Sequence, residues 1–149
     1  MKALIQRVQE ARVDIAKQGE LITSGQIGAG LLVLLGVQAE DTPETTQRLM
    51  QKCLDYRIFA DNEGKMNLSL IASGGDLLLV SQFTLCADTG RGLRPSFSKA
   101  ASPALAEDLY IQAAAYVRKK LGSVATGEFG ANMQVHLIND GPVTFLLES

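Results

Sequence analysis

Leu77, Leu78, Leu79 and Val80 form an apolar run that stops abruptly at Ser81 and Gln82, with Thr84 two residues on. A short unbroken run of this kind reads as a strand buried on both faces, the type found in the middle of a sheet. Where such a strand ends in hydroxyl and amide groups, hydrogen-bonding side chains stand at the mouth of a rigid element, where a site can be held to tight tolerances. The same groups also suit a plainer role, satisfying backbone at the strand end.

A second stretch lies near the C-terminus. Gln134 to Ile138 reads as a strand and Val143 to Leu147 as another apolar run, with Asn139-Asp140-Gly141-Pro142 between them as a turn. Pro142 has no N–H for a central ladder, and Asn, Asp and Gly are turn residues.

Elsewhere the chain alternates strands with two helices. Residues 2–15 read as two strands joined near Glu10 and Ala11 in a hairpin, with Arg7 central in the first. Arg7 either faces water or turns its fork of donors onto a carbonyl or carboxylate. Glu20 to Thr23 reads as a short edge strand. The glycines of Gly25-Gln26-Ile27-Gly28-Ala29-Gly30 precede the strand Leu31 to Val37 instead of following one, which excludes a nucleotide-binding loop and leaves a tight turn. Thr42, Pro43 and Glu44 open a helix whose apolar stripe is Leu49, Met50, Cys53, Leu54 and Ile58, ending near Phe59. Asp61-Asn62-Glu63-Gly64 is a solvated turn without calcium-loop spacing. Ser102 and Pro103 open the second helix, with Leu105, Leu109, Ala113, Tyr116 or Val117, and Leu121 inward, and Gly122 stops it. The loop from Ala87 to Ala101 carries Arg91, Arg94 and Lys99 against one acid, Asp88. Such a run is usually solvated surface, but this one follows the polar strand end and is suited to meeting phosphate.

The 149 residues are enough for one good core, so residues 1–149 are expected to form a single domain. About seven strands and two helices predict an α/β fold with the helices packed on one side. With 46% hydrophobic and 20% charged residues the chain is globular. No segment resembles a signal peptide and the apolar run Leu31 to Leu35 is too short to span a bilayer, so the expected location is cytoplasmic, away from membranes. A net charge of -2 argues against coating nucleic acid through a broad basic face, so DNA is not an expected partner and any RNA contact is local. Cys53 and Cys86 read as small buried hydrophobes, and one histidine without paired cysteines gives no metal site.

Three kinds of chemistry fit these residue types. Ser81, His136 and Asp140 are the members of a triad, but no nucleophile elbow surrounds Ser81. Cys86 and His136 make a dyad on paper, although His136 alternates with Val135 and Leu137 in a strand. The third needs no side-chain nucleophile: strand-end polar groups and backbone N–H groups hold an oxyanion while another group activates water.

Ser81-Gln82-Phe83-Thr84-Leu85 and Asn139-Asp140-Gly141-Pro142-Val143-Thr144 together resemble the paired signatures of the D-aminoacyl-tRNA deacylases. The resemblance runs from Ala3-Leu4-Ile5-Gln6-Arg7-Val8 through Arg94-Pro95-Ser96-Phe97 to the last strand. It implies a three-layer α/β/β arrangement with two β layers, a homodimer, no cofactor, and hydrolysis of the ester joining a D-amino acid or glycine to the terminal adenosine of tRNA. It assigns the pocket floor to Ser81, Gln82, Phe83 and Thr84, with Thr84 a stabiliser and not a nucleophile. It implies a cis Gly141–Pro142 bond that enters the partner's active site, where its carbonyls take the substrate amino group and exclude an L side chain. Arg7 braces this dipeptide, and Asn139 and Thr144 support it. The adenosine is expected among Ala106, Phe129 and Met133; Phe129 is either plain core or a ring that stacks on the base for ~1–3 kcal/mol.

Overall fold

The computed structural model describes residues 1–17, 19–90 and 92–149. Its strands are β1 (Lys2–Lys17), β2 (Glu20–Ile27), β3 (Gly30–Gly36), β4 (Phe59–Ala60), β5 (Met66–Leu68), β6 (Asp76–Ser81), β7 (Ala125–Thr126) and β8 (Met133–Glu148). The helices are α1 (Pro43–Asp55), the single-turn α2 (Leu70–Ser73) and α3 (Pro103–Leu121), and a 3-10 turn covers Phe83–Cys86. The architecture is α/β, as expected. Strand order is β2-β1-β3-β6-β7, with β8 also on β1.

The apolar run at 77–80 is central. β6 lies parallel between β3 and β7, pairing Leu31 with Leu77, Leu34 with Val80 and Leu78 with Ala125. Its side chains alternate between two cores. Leu77 and Leu79 join Leu31, Val33 and Leu35 beneath α1 and α3, where Leu49, Met50, Leu109 and Ala113 meet them. Leu78 and Val80 join Leu32, Val8, Val13 and Ile27 on the opposite face, inside the curl of the sheet. The sheet nearly closes there, because β2 reaches β7: Ser24 Oγ donates to Thr126 O at 3.1 Å. A Cβ on Gly25 would lie 2.6 Å from that same oxygen, so the approach requires glycine. One helical layer thus covers a sheet folded over on itself.

The expected hairpin within residues 2–15 is not formed. β1 is one strand whose first half pairs with β3 and whose second half pairs with β2, so both halves find partners without a reversal. Its exposed residues Gln9 and Glu10 mark a register shift against β8 instead of a turn. The turn expected at 139–142 is not a reversal either, since β8 stays on β1 from Met133 to Glu148. Gln6 pairs with Thr144 and Val8 with Asn139, so residues 140–143 bulge out opposite Arg7 alone. Pro142 cannot donate to the ladder, and looping out removes that demand.

Smaller boundaries also move. β2 continues to Ile27, so only Gly28 and Ala29 make the turn into β3. α1 starts as expected, with Thr42 Oγ1 accepting from Thr45 N at 3.3 Å, but ends at Asp55. The chain is captured there by the β4–β5 hairpin, with the Arg57 guanidinium on Asn67. The turn at Asp61 serves its own backbone, Oδ1 accepting from Glu63 N and Lys65 N at 2.9 and 3.0 Å. α3 runs from Pro103 to Leu121, capped by Ser102 and stopped by Gly122, as its signals indicated.

Candidate active site

The end of β6 opens onto a cavity of about 510 Å3. Parallel pairing carries Ser81 to the last rung beside Leu35, and Gln82 N donates to Leu35 O at 2.7 Å. The chain then tightens into the 3-10 turn, whose first hydrogen bond runs from Leu85 N to Gln82 O at 3.2 Å. The N–H groups of Phe83 and Thr84 stand ahead of that bond and are free of intrahelical partners, as at any helix start. Gln82 Nε2 donates to Thr84 Oγ1, tying the two polar side chains together.

The cavity collects much of the expected site. Ser81, Gln82 and Phe83 after β6, Ala106 of α3, and Phe129 and Met133 all line it. Thr84 is exposed beside the mouth and does not line it. Asn132 and the backbone of Gly130 and Ala131 also line the cavity. Sequence reasoning did not assign them to the site, although the glycines of Thr126-Gly127-Glu128-Phe129-Gly130, around Phe129, were a signal. Tyr110 was missed as well. Its buried hydroxyl donates to Leu79 O at 2.8 Å and to Gly127 O at 3.3 Å, and its ring lies 5.9 Å from that of Phe129. Burial pushes the Tyr110 phenol up to about 12, so it remains a donor.

The second group assembles around the bulge in β8. The Gly141–Pro142 bond is cis, and both residues are exposed. Arg7 fills the gap opposite: its Nε donates to Asp140 O at 3.2 Å and meets Asp140 Oδ2 at 3.0 Å, while Nη1 donates to Ile58 O at 2.7 Å. Asn139 spans the bulge, with Oδ1 accepting from Val143 N at 3.0 Å and Nδ2 donating to Thr144 Oγ1 at 2.8 Å. Arg7, Asn139 and Thr144 are therefore brought together with the dipeptide. Gly141 and Pro142 are not among the residues that line the cavity of the same chain.

The conventional nucleophiles are not assembled. Cys86 is buried, its thiol pKa is raised by that burial, and its Sγ donates to Val37 O at 3.4 Å. His136 is half exposed with Nε2 3.2 Å from Asp14 Oδ2, in a different recess lined by Glu10, Arg12 and Gln26. Asp140 is held by Arg7. Arg91 lies outside the described residues, while Arg94 and Lys99 are exposed on the loop that follows the 3-10 turn.

A curled α/β domain that sets Ser81, Gln82 and Phe83 at one cavity, with neither Ser81 nor Cys86 paired to His136, carries the kinds of group that oxyanion-type ester hydrolysis uses. The family profile described as D-Tyr-tRNA(Tyr) deacylase matches residues 4–148. Proteins named D-aminoacyl-tRNA deacylase from Stutzerimonas stutzeri and Pseudomonas fluorescens are 60% and 58% identical, each alignment covering 100% of both chains. A solved structure called c-Myc DNA Unwinding Element Binding Protein superposes with a TM-score of 0.91 at 41% identity, covering 100% of this chain and 99% of that one. Another, of a probable eukaryotic D-amino acid tRNA deacylase, shares the fold at a TM-score of 0.84 and 17% identity, covering 98% and 97%. The chain belongs to the D-Tyr-tRNA(Tyr) deacylase family, and with it to the hydrolases of aminoacyl esters.

Proposed function

We propose that the D-aminoacyl-tRNA deacylase activity of this family is carried out here at the end of β6, with Gly141 and Pro142 of a second copy supplying selectivity. The observation that supports this most is the single cavity shared by Ser81, Gln82, Phe83, Ala106, Phe129 and Met133. Its volume falls in the range of ~300–1,000 Å3 common for small-ligand sites. In this reading the terminal adenosine lies against Phe129, Met133 and Ala106, and the ester carbonyl meets the N–H groups of Phe83 and Thr84. The Thr84 hydroxyl, held by Gln82, adds a donor to the oxyanion. An aminoacyl ester is already activated, so stabilising its tetrahedral intermediate suffices, and the terminal ribose hydroxyl helps to activate water.

The carbonyls of Gly141 and Pro142 accept the substrate amino group and leave an L side chain no room. A filter made of main chain discriminates by exclusion and tolerates many D side chains. It does not exclude glycine, so glycyl-tRNA is also a substrate. Because the dipeptide does not line its own cavity, a homodimer is needed to bring the two together. β8 suits that assembly: it pairs only with β1 among the described strands and carries exposed Ile138, Phe145 and Leu146. No helix is long and apolar enough to cross a membrane, and a tRNA substrate fits a cytoplasmic protein.

Incubation with D-tyrosyl-tRNA and L-tyrosyl-tRNA tests the activity. Release of tyrosine from the D ester alone is expected; protection of both esters would instead mark a non-catalytic binder. His136→Ala is expected to leave deacylation intact, and loss of activity in it would restore the conventional esterase reading. Sedimentation velocity of the full chain is expected to give a dimer.

A further inference from the structure

The rings of Phe83 and Phe97 form a tilted pair with centroids 5.0 Å apart. Both are wet: Phe83 is 57% and Phe97 38% exposed, and Leu93, on the same loop as Phe97, is fully exposed. Neither Phe contributes to the apolar cores, so packing does not explain the pair. The fold nevertheless pins the loop on both sides of Phe97. Asp88 and Ser96 exchange N–H···O bonds at 2.7 and 3.1 Å, Ala39 N donates to Lys99 O at 3.1 Å, and Ala101 N donates to Val37 O at 3.0 Å. Phe83 also lines the cavity, so the pair adjoins the ester and adenosine site. Exposed Arg94 and Lys99 flank Phe97, and residues 92–101 contain no acid. In a chain of net charge -2 this places two cations within three residues of Phe97, whose ring pairs with Phe83, with one acid, Asp88, across from Ser96.

We propose that Phe83, Phe97, Arg94 and Lys99 form a second nucleotide subsite, which stacks the base of the nucleotide preceding the terminal adenosine and holds the phosphate between them. An exposed aromatic face takes any base by stacking, and an adjacent cation takes the backbone. Every tRNA ends in the same unpaired nucleotides, so a subsite that reads a ring face and a charge serves all of them. The inference rests on the reading of the cavity as the adenosine and ester site.

The test compares two substrates of different length, D-tyrosyl-tRNA and D-tyrosyl-adenosine, the second ending at the terminal nucleoside. Phe97→Ala is expected to raise KM for the tRNA ester about tenfold with kcat unchanged. The same variant is expected to handle D-tyrosyl-adenosine like the wild type, and Phe97→Tyr to restore the tRNA KM. Arg94→Ala is expected to raise KM for the tRNA ester only and to flatten its dependence on salt. Equal losses on both substrates would overturn the subsite, because Phe97 would then act only by propping Phe83. An unchanged tRNA KM would overturn it too. A wild-type protein that cleaves neither substrate would fail one step earlier, at the cavity itself.

Discussion

Gly141 is the residue at which conformation and crowding agree most closely. Its φ is +126°, a region that L side chains rarely adopt, and a Cβ would stand 2.7 Å from Val143 Cγ2 and 3.1 Å from Arg7 Nη2. Gly141→Ala is therefore expected to destabilise the fold by about 1–3 kcal/mol in a denaturant titration. If Gly141 also carries selectivity, the variant is expected to lose discrimination between D- and L-tyrosyl-tRNA; unchanged selectivity would count against the main-chain filter. Arg7 explains how a lone arginine sits centrally in an apolar strand. It faces neither the core nor open water but the place where β8 loops away, and its fork serves Asp140 and Ile58 together. A lysine has one ammonium and no fork, so Arg7→Lys is expected to lose one of these contacts and part of the same selectivity.

At the scale of elements, the site is formed by strand and helix ends held together by a few directional bonds. β6 brings Ser81 to the cavity, α3 brings Ala106, and the stretch from Phe129 to Met133 supplies further lining. Tyr110 joins all three, because it projects from α3, donates to Leu79 of β6 and Gly127, and backs Phe129. Tyr110→Phe removes the donor to Gly127 O and one of two donors to Leu79 O, which keeps Gly127 N at 3.0 Å, and a stability loss of roughly 1–3 kcal/mol is expected. Loss of the tie to Gly127, two residues before Phe129, is expected to raise KM more than it lowers kcat, a split that steady-state kinetics on D-tyrosyl-tRNA would resolve. A loss confined to kcat would place Tyr110 in another role.

Across the whole molecule, the two cores and the near-closure of the sheet depend on β1 holding β2, β3 and β8 at once. Asp14 is one fastening of that arrangement. Thr23 Oγ1 on β2 donates to its Oδ1 at 2.8 Å and Arg12 Nε to its Oδ2 at 3.0 Å. The hydroxyl of Thr23 foremost, with Arg12 adding to it against the cost of burial, holds the Asp14 carboxyl below its usual 3.8. A carboxyl depressed in the folded state adds stability above its unfolded value and loses it as pH falls through the folded one. Thr23→Val is therefore expected to lower Tm near neutral pH, with the deficit shrinking once pH drops below about 3.8. A deficit that is constant across pH would assign the effect to packing alone.

Local patterns made α3 legible from end to end, because Ser102, Pro103 and Gly122 are signals that act on adjacent backbone. They also made β6 legible, since an unbroken apolar run has few places to go except between two cores. The two long strands were misread for the same reason in reverse. The expected hairpin junction near Glu10 and Ala11 interrupts an apolar pattern, and Asn139-Asp140-Gly141-Pro142 carry the chemistry of a turn, but each chain segment had a partner strand waiting on both sides of the interruption. Pairing between β1 and β8 then absorbed the polar residues as irregularities of register. By itself, then, the sequence determined the fold class, the polar strand end and the two signature motifs, since these depend on neighbours along the chain. The tertiary structure alone decided that Arg7 faces Asp140, that Tyr110 backs Phe129, and that Cys86 and His136 stay apart. Contacts between residues distant in sequence are selected by how the sheet curls, and no local pattern encodes that curvature.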